Sequence, residues 1–390
     1  MNLRAWARGY NHLLLQLAKQ PIIRNYRRYC LRKKGHALLY YKTDVFTPGY
    51  IHDYSHTNHW EIAEIARILN EAGFWVDIID RSVDVKRTTI HDKYDVCIAN
   101  GPTDSTADYP LIAKQTSHAI KVFYATAAAP KLHNAQLLER HARFTARTGT
   151  SLPPRRLMEH IDMPLIMDAT DVIFSVGSPW TNASYAQYSK PIYPINVSTA
   201  PFLYATQSEI KQKDSHHFLF LAGNGNILKG LDIVLEAFAS IPKTTLHVCT
   251  VIEDDIARFY RSLLASNPHI RLHGFLPLRG RTFRDISRVS RFSLLPSSTE
   301  ATATAGATCL RRGIIPIMTE AVGLERSSSY AYLLPSHPTP VQLTKTIEQA
   351  LAEKEAELLR RAKTGYDISN QYTQKSFTNT FQKALNAILR

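Results

Sequence analysis

HFLFLAGNGNILKGLDIVLEAFASI (217–241) holds, in order, an apolar strand, a turn of Gly223, Asn224, Gly225 and Asn226, the pair Lys229-Gly230, and a run of helical period. A second stretch, RFSLLPSSTEATATAGATCLRRGIIPIMTEAVG (291–323), follows the same plan. Its strand at 292–296 runs through Ser297, Ser298, Thr299 and Glu300 into a helix of small residues. Strands that alternate with helices build parallel βαβ units. Doubly wound sheets bind ligands at the carboxyl ends of their strands, so both turns are candidate ligand-binding turns, the first of phosphate size.

The same alternation extends in both directions. Toward the N-terminus, strands are expected at 36–41, 74–80, 95–100, 121–125 and 171–176 and in PIYPI (191–195), with helices at about 58–72, 134–147 and 180–188. After Asn196 the chain turns polar and aperiodic, which marks a linker. Beyond it come strands at 217–222, 245–250, 270–275, 292–296 and 314–318, with helices at 230–241, 254–266, 279–289 and 302–312. The tail reads as a helix at 340–363, a break at Gly365, and a helix at 371–389 with Phe377, Phe381, Leu385 and Leu389 on one face. A length of 390 residues exceeds what one core usually serves. The expected division is a basic segment 1–35, an α/β domain 36–200, a second α/β domain 201–365, and a terminal segment 366–390.

Composition is that of a soluble globular protein, 44% hydrophobic and 21% charged. The net charge of +14 is localised: ten of the 47 Lys and Arg residues precede Asp44, the first acid, so the remainder is nearly neutral. Nucleic-acid binding is therefore not expected, because the basic arm carries no groove-reading motif. Within that arm Leu3, Trp6, Tyr10, Leu13, Leu14 and Leu17 recur at helical spacing, Pro21 interrupts, and Ile22, Ile23, Tyr26 and Tyr29 continue the apolar face. Such a segment either lies on an anionic leaflet or packs on the adjoining domain. Its longest apolar run is too short to span a bilayer, so membrane contact would be peripheral, on the inner face. The four cysteines are far apart and lack zinc spacing, which suits a reducing cytoplasm.

Taken together, Gly223 six positions before Lys229-Gly230 and its helix, HGF (273–275), LLPSSTE (294–300) and GIIPI (313–317) resemble the donor-binding domain of family 4 glycosyltransferases. HTNHWEIAEIARILNEAGFWVDIID (56–80) and KVFYATAAAP (121–130) resemble, more weakly, the acceptor domain of bacterial polysaccharide glycosyltransferases. The resemblance implies a GT-B fold, two Rossmann-like doubly wound domains facing a cleft, with the C-terminal helix crossing back to the first. It implies transfer of a sugar from a nucleoside diphosphate sugar to a glycan or lipid-linked acceptor in envelope polysaccharide synthesis, with retention and no metal. No cofactor is expected beyond the nucleotide-sugar co-substrate. A sugar-nucleotide epimerase and a catalytically degenerate scaffold are the alternatives.

Lys229 enters a helix at its N-terminus, where positive charge is disfavoured, so its placement calls for a compensating anion, here read as a diphosphate. A carboxylate at Glu300 is favoured at such a terminus and would serve simply as a first-turn residue. The resemblance instead gives it contact with sugar or nucleotide, and gives the N–H groups of Ala303 and Thr304, with Thr302, a phosphate site. By the same resemblance Gly223, Asn224, Gly225 and Ser298 belong to the donor site, and Gly274-Phe275 lie beside the base. His56, Asn58 and His133 fall near acceptor contacts. His56 joins Lys229 and Glu300 as a catalytic candidate, although an isolated surface histidine is more often inert. Arg140 and Arg147 would bind an anionic acceptor or pair with acids. Two positions depart from the family: Asn224 stands where an Arg is usual, and Thr308, eight residues after Glu300, where a second Glu is usual. Both can hydrogen-bond, but neither carries charge. No DxD triplet occurs.

Overall fold

The computed structural model describes residues 21–47, 50, 54, 56–88, 90, 93–103 and 107–390. Leu3 to Leu17 of the basic arm thus lie outside the described residues. Two sheets carry the chain. The first contains β1 (Ile22–Tyr26), β2 (Gly35–Tyr41), β3 (Phe74–Asp80), β4 (Val96–Gly101), β5 (Ile120–Ala125), β6 (Val172–Ser175) and β7 (Ile192–Pro194) in the order β1-β3-β2-β4-β5-β6-β7. The second contains β8 (Asp214–Leu221), β9 (Thr245–Cys249), β10 (Ile270–Leu272), β11 (Ser290–Leu295), β12 (Ile315–Thr319) and β13 (Tyr332–Leu334) in the order β10-β9-β8-β11-β12-β13. All pairings are parallel except β1 with β3. Central strands such as β4 and β11 are buried along their whole length, as apolar runs covered on both faces must be.

Several elements differ from the sequence reading, each for a physical reason. Ile22 to Tyr26 continue no helical face. They form β1, an antiparallel edge whose Arg24 side chain and Asn25 amide bind the buried carboxylate of Asp77 at 2.9 and 2.7 Å. Gly365 does not break the tail. It lies inside helix Glu355–Ile368, where a Cβ would meet the Leu310 side chain at 2.9 Å, and the break falls earlier, after Leu351. The helix expected at 254–266 is two, Asp254–Phe259 and Arg261–Ser266. The segment after Asn196 is polar but not loose. Val197, Ser198, Thr199, Ala200 and Leu203 are buried, with Ser198 Oγ donating to Glu61 at 2.9 Å and Thr199 Oγ1 to the Tyr372 carbonyl at 2.7 Å.

The last helix, Gln374–Ile388, leaves the second domain and packs on the first. Phe381 meets Phe174 and Tyr124 with ring centroids at 5.4 and 6.2 Å, and Phe377 meets Trp60 at 5.6 Å. Asn196 donates to Ser376 at 2.8 Å, and the Thr378 hydroxyl donates to Glu64. The domains are therefore joined twice, by the buried linker and by this helix. Truncating a fully buried Phe leaves a cavity, so Phe381→Ala should lower the denaturant midpoint of the first domain by about 3–5 kcal/mol equivalent. Urea unfolding followed by far-UV circular dichroism would register the loss.

Candidate functional site

A cleft of about 560 Å³ opens between the domains at the carboxyl ends of the strands. The first domain lines it with His56, Asn58, Glu61, Arg81 and Arg156, and the second with Gly223, Lys229, Phe275, Ser297, Glu300, Thr302 to Ala305, and Thr308. Among the described residues no helix is long and apolar enough to cross a membrane, and none group as three or more metal-ligating His, Cys, Asp or Glu.

The centre is a contact between the two turns read from sequence. The Lys229 ammonium donates to the Glu300 carboxylate, both largely shielded from solvent. Burial pulls the Lys229 pKa below the usual lysine range, and the Glu300 charge opposes that shift. Gly230 makes the approach possible: it has a φ of 78°, and a Cβ would fall 2.8 Å from the Pro296 carbonyl oxygen. The anion that the position of Lys229 demanded is thus a side chain of the protein.

Beside the pair begins helix Thr304–Arg311, which carries no side-chain cap. The N–H of Ala303 donates to the Val322 carbonyl at 2.9 Å, so the phosphate donor expected there is already used. The amides of Thr304 and Ala305 are the orphan donors of the first turn, and both residues line the cleft. Thr181 of the first domain fixes this loop by donating to the carbonyls of Glu300 and Ala301 at 2.9 and 3.0 Å.

The other expected residues divide. His56, Asn58, Phe275, Thr302 and Thr308 line the cleft with Gly223. Asn224, Gly225, Gly274, Ser298, His133 and Arg140 do not. Gly225 and Asn226 give their amides to Glu253 Oε1 at 2.9 and 3.4 Å, so the glycine turn is closed by a carboxylate of its own domain. Ser298 is buried, its amide on the Leu228 carbonyl at 3.0 Å. Arg140, 1% exposed, donates to the Pro296 carbonyl and faces Asp232, acting as a strut beneath the site rather than a surface cation. Arg147 pairs with Asp232 and Glu236, both at 2.7 Å.

No protein-family model and no curated protein matches the chain by sequence. Solved structures do match in shape. HepE of Anabaena, determined with UDP and glucose, aligns with a TM-score of 0.60 at 13% identity over 91% of this chain and 100% of that one. Sucrose-phosphate synthase of Thermosynechococcus elongatus aligns at 0.64 and 11% over 91% and 99%. WaaG, a glycosyltransferase involved in lipopolysaccharide biosynthesis, aligns at 0.55 and 12% over 89% and 98%. The fold is GT-B.

Within this GT-B cleft the sequence reading missed Glu61, Arg81 and Arg156, and beside it Glu253, which holds the glycine turn. A signal for Glu61 existed: it shares the apolar stripe of helix Thr57–Glu71 with Ile65 and Ile68. Its carboxylate accepts from Ser198 and, at 3.4 Å, from Tyr124, yet burial pushes its pKa up to about 7. His56, crowded by protein and by Lys42, and His133, in which burial holds the pKa down at about 4, are both neutral at physiological pH.

Because the Glu61 pKa is raised, its protonated form is the one the fold favours. The stability it confers is complete below about pH 4.5 and is lost as pH rises through 7, by on the order of 3 kcal/mol. Glu61→Gln keeps the hydrogen-bonding shape without the charge. Between pH 5 and 8 the melting temperature of the wild type should fall relative to this variant, in paired thermal scans across that range.

Proposed function

We propose that the protein is a glycosyltransferase that binds a nucleoside diphosphate sugar in this cleft and passes the sugar to a glycan or lipid-linked acceptor. One observation carries the reading: the uncapped N-terminus of helix Thr304–Arg311, with free amides at Thr304 and Ala305, opens into the same cleft as Lys229 and Glu300. Helix N-termini bind phosphate through such amides and the helix dipole. UDP is bound by HepE, which supports a nucleotide donor here by analogy of fold.

On this reading the diphosphate draws Lys229 away from Glu300, so one ligand both neutralises its own charge and releases a carboxylate. Glu300 then accepts hydrogen bonds from sugar hydroxyls. As the bond between C1 of the sugar and the phosphate oxygen breaks, negative charge grows on the leaving group, where Lys229 and the two amides stabilise it. The acceptor hydroxyl attacks C1 from the same face and its proton passes to the departing phosphate oxygen. That route retains configuration and uses neither a dedicated base nor a metal. His56, neutral and across the cleft, hydrogen-bonds the incoming acceptor.

Thermal unfolding with UDP, GDP, CDP and their sugars tests the donor site. Saturation at about a hundred times the dissociation constant adds roughly 2.7 kcal/mol, a rise of a few degrees for one of these nucleotides. Lys229→Gln, which keeps a donor on Glu300 without the charge, should abolish that rise. No rise with any nucleotide in the wild type would favour a scaffold, and nucleotide release from a sugar nucleotide without any acceptor would favour an epimerase.

The basic edge supports a second element, contact with an anionic membrane surface. Arg28, Arg32 and Lys34 are exposed beside Leu31 and Tyr29, while Arg27 and Lys33 lie over the Trp75 ring at 4.9 and 4.5 Å. Each cation near such a surface contributes about 1 kcal/mol. The full chain should sediment with phosphatidylglycerol-rich vesicles and not with phosphatidylcholine ones, and Arg28→Glu with Arg32→Glu should abolish sedimentation.

A further inference from the structure

We infer that Arg156, carried by the first domain, supplies the diphosphate-facing cation that the glycine turn of the second domain lacks, so that the donor site is complete only when both domains contribute to it. The inference rests on the donor-site reading above and names a residue that the motifs do not contain.

The glycine turn by itself is a poor anion site. Glu253 occupies the amides of Gly225 and Asn226, and the residue exposed at the tip, Asn224, is uncharged. Lys229 is engaged by Glu300. Arg155, the neighbour of Arg156, is committed to Glu253 and Asp255 at 3.6 and 3.2 Å. Arg156 is different. It lines the cleft, its Nη1 donates to the Asn224 carbonyl at 3.3 Å, and its Cδ lies 3.0 Å from where a Cβ on Gly225 would stand. Among the described residues no carboxylate pairs with it. Its charge therefore sits against the turn, within electrostatic reach of Lys229, with no anion of its own.

The loop holding Arg156 is built to keep it there. Its backbone has a φ of 74°, a left-handed conformation that costs an arginine roughly 1–2 kcal/mol and persists only where neighbours impose it. The neighbours are at hand. His133 Nε2 donates to the Arg156 carbonyl at 2.9 Å, Asn134 and Met158 exchange two hydrogen bonds at 2.9 and 3.0 Å, and the Arg155 pairs tie the loop across to the second domain. His133 thus acts as a positioning residue behind Arg156 rather than as a ligand contact. A diphosphate seated on the amides of Thr304 and Ala305 would meet Lys229 from one domain and Arg156 from the other.

Isothermal titration with UDP, GDP and CDP, on the full chain, tests this with wild type, Lys229→Gln, Arg156→Gln, and Arg156→Gln combined with Asn224→Arg. One charge-assisted contact predicts that Arg156→Gln weakens the preferred nucleotide about tenfold or more. Moving the cation to Asn224→Arg should recover most of the loss, which a purely structural role of Arg156 would not permit. Wild-type binding that is lost in Lys229→Gln but unchanged in Arg156→Gln, or a loss that Asn224→Arg leaves uncorrected, would overturn this inference and leave the donor site standing. Failure of the wild type to bind any of the three would overturn both.

Discussion

The arrangement of the cleft depends on the shielded ion pair between Lys229 and Glu300. Removing two charges from water is costly unless each meets a partner in good geometry, and here each partner comes from a different βα turn. The pair fixes the end of β8 relative to the end of β11, whose strands are hydrogen-bonded in parallel with Phe218 opposite Phe292. Gly230 is the permissive element, since any side chain there would strike Pro296. On the proposed donor-site reading the ion pair is also a latch, which a bound diphosphate opens by taking the lysine and freeing the carboxylate.

The second constraint is that neither domain holds the site alone. Thr181 of the first domain binds the loop at Glu300, Arg140 of the first domain reaches the carbonyl of Pro296, and Arg155 and Arg156 reach across to Glu253, Asp255 and Asn224. These polar ties lie close to the cleft, whereas the helix Gln374–Ile388, which packs Phe377 and Phe381 on the first domain, has no residue in its lining. Such a division lets packing hold the domains together while charge and hydrogen bonding tune how they meet around a ligand.

Much of the α/β plan was legible because parallel strands buried on both faces are continuous apolar runs, and the helices between them keep a clear period. The elements missed were of other kinds. β1 is an edge strand whose partners are a distant strand and a buried Asp77, and β13 is only three residues long. Gly365 resembled a break because glycine is a poor helix former, yet it stands in a helix to admit Leu310. Around the cleft, Lys229 and Glu300 were legible from their place after strands and Thr304 from the family resemblance, while Arg156 and Glu253 had no local pattern to announce them.

The sequence by itself determined the alternation of strands and helices on either side of a linker, the apolar face of the last helix, and the two turns where polar residues follow buried strands. These are properties of local periodicity and turn chemistry, which act over a few residues. Only the tertiary structure decided that Lys229 and Glu300 meet, that Ala303 spends its amide on Val322, that Glu253 closes the glycine turn, and that Arg156 stands over it. Those contacts join residues from about 20 to more than 70 positions apart, and whether a charge there is paired, buried or free depends on which distant group arrives beside it.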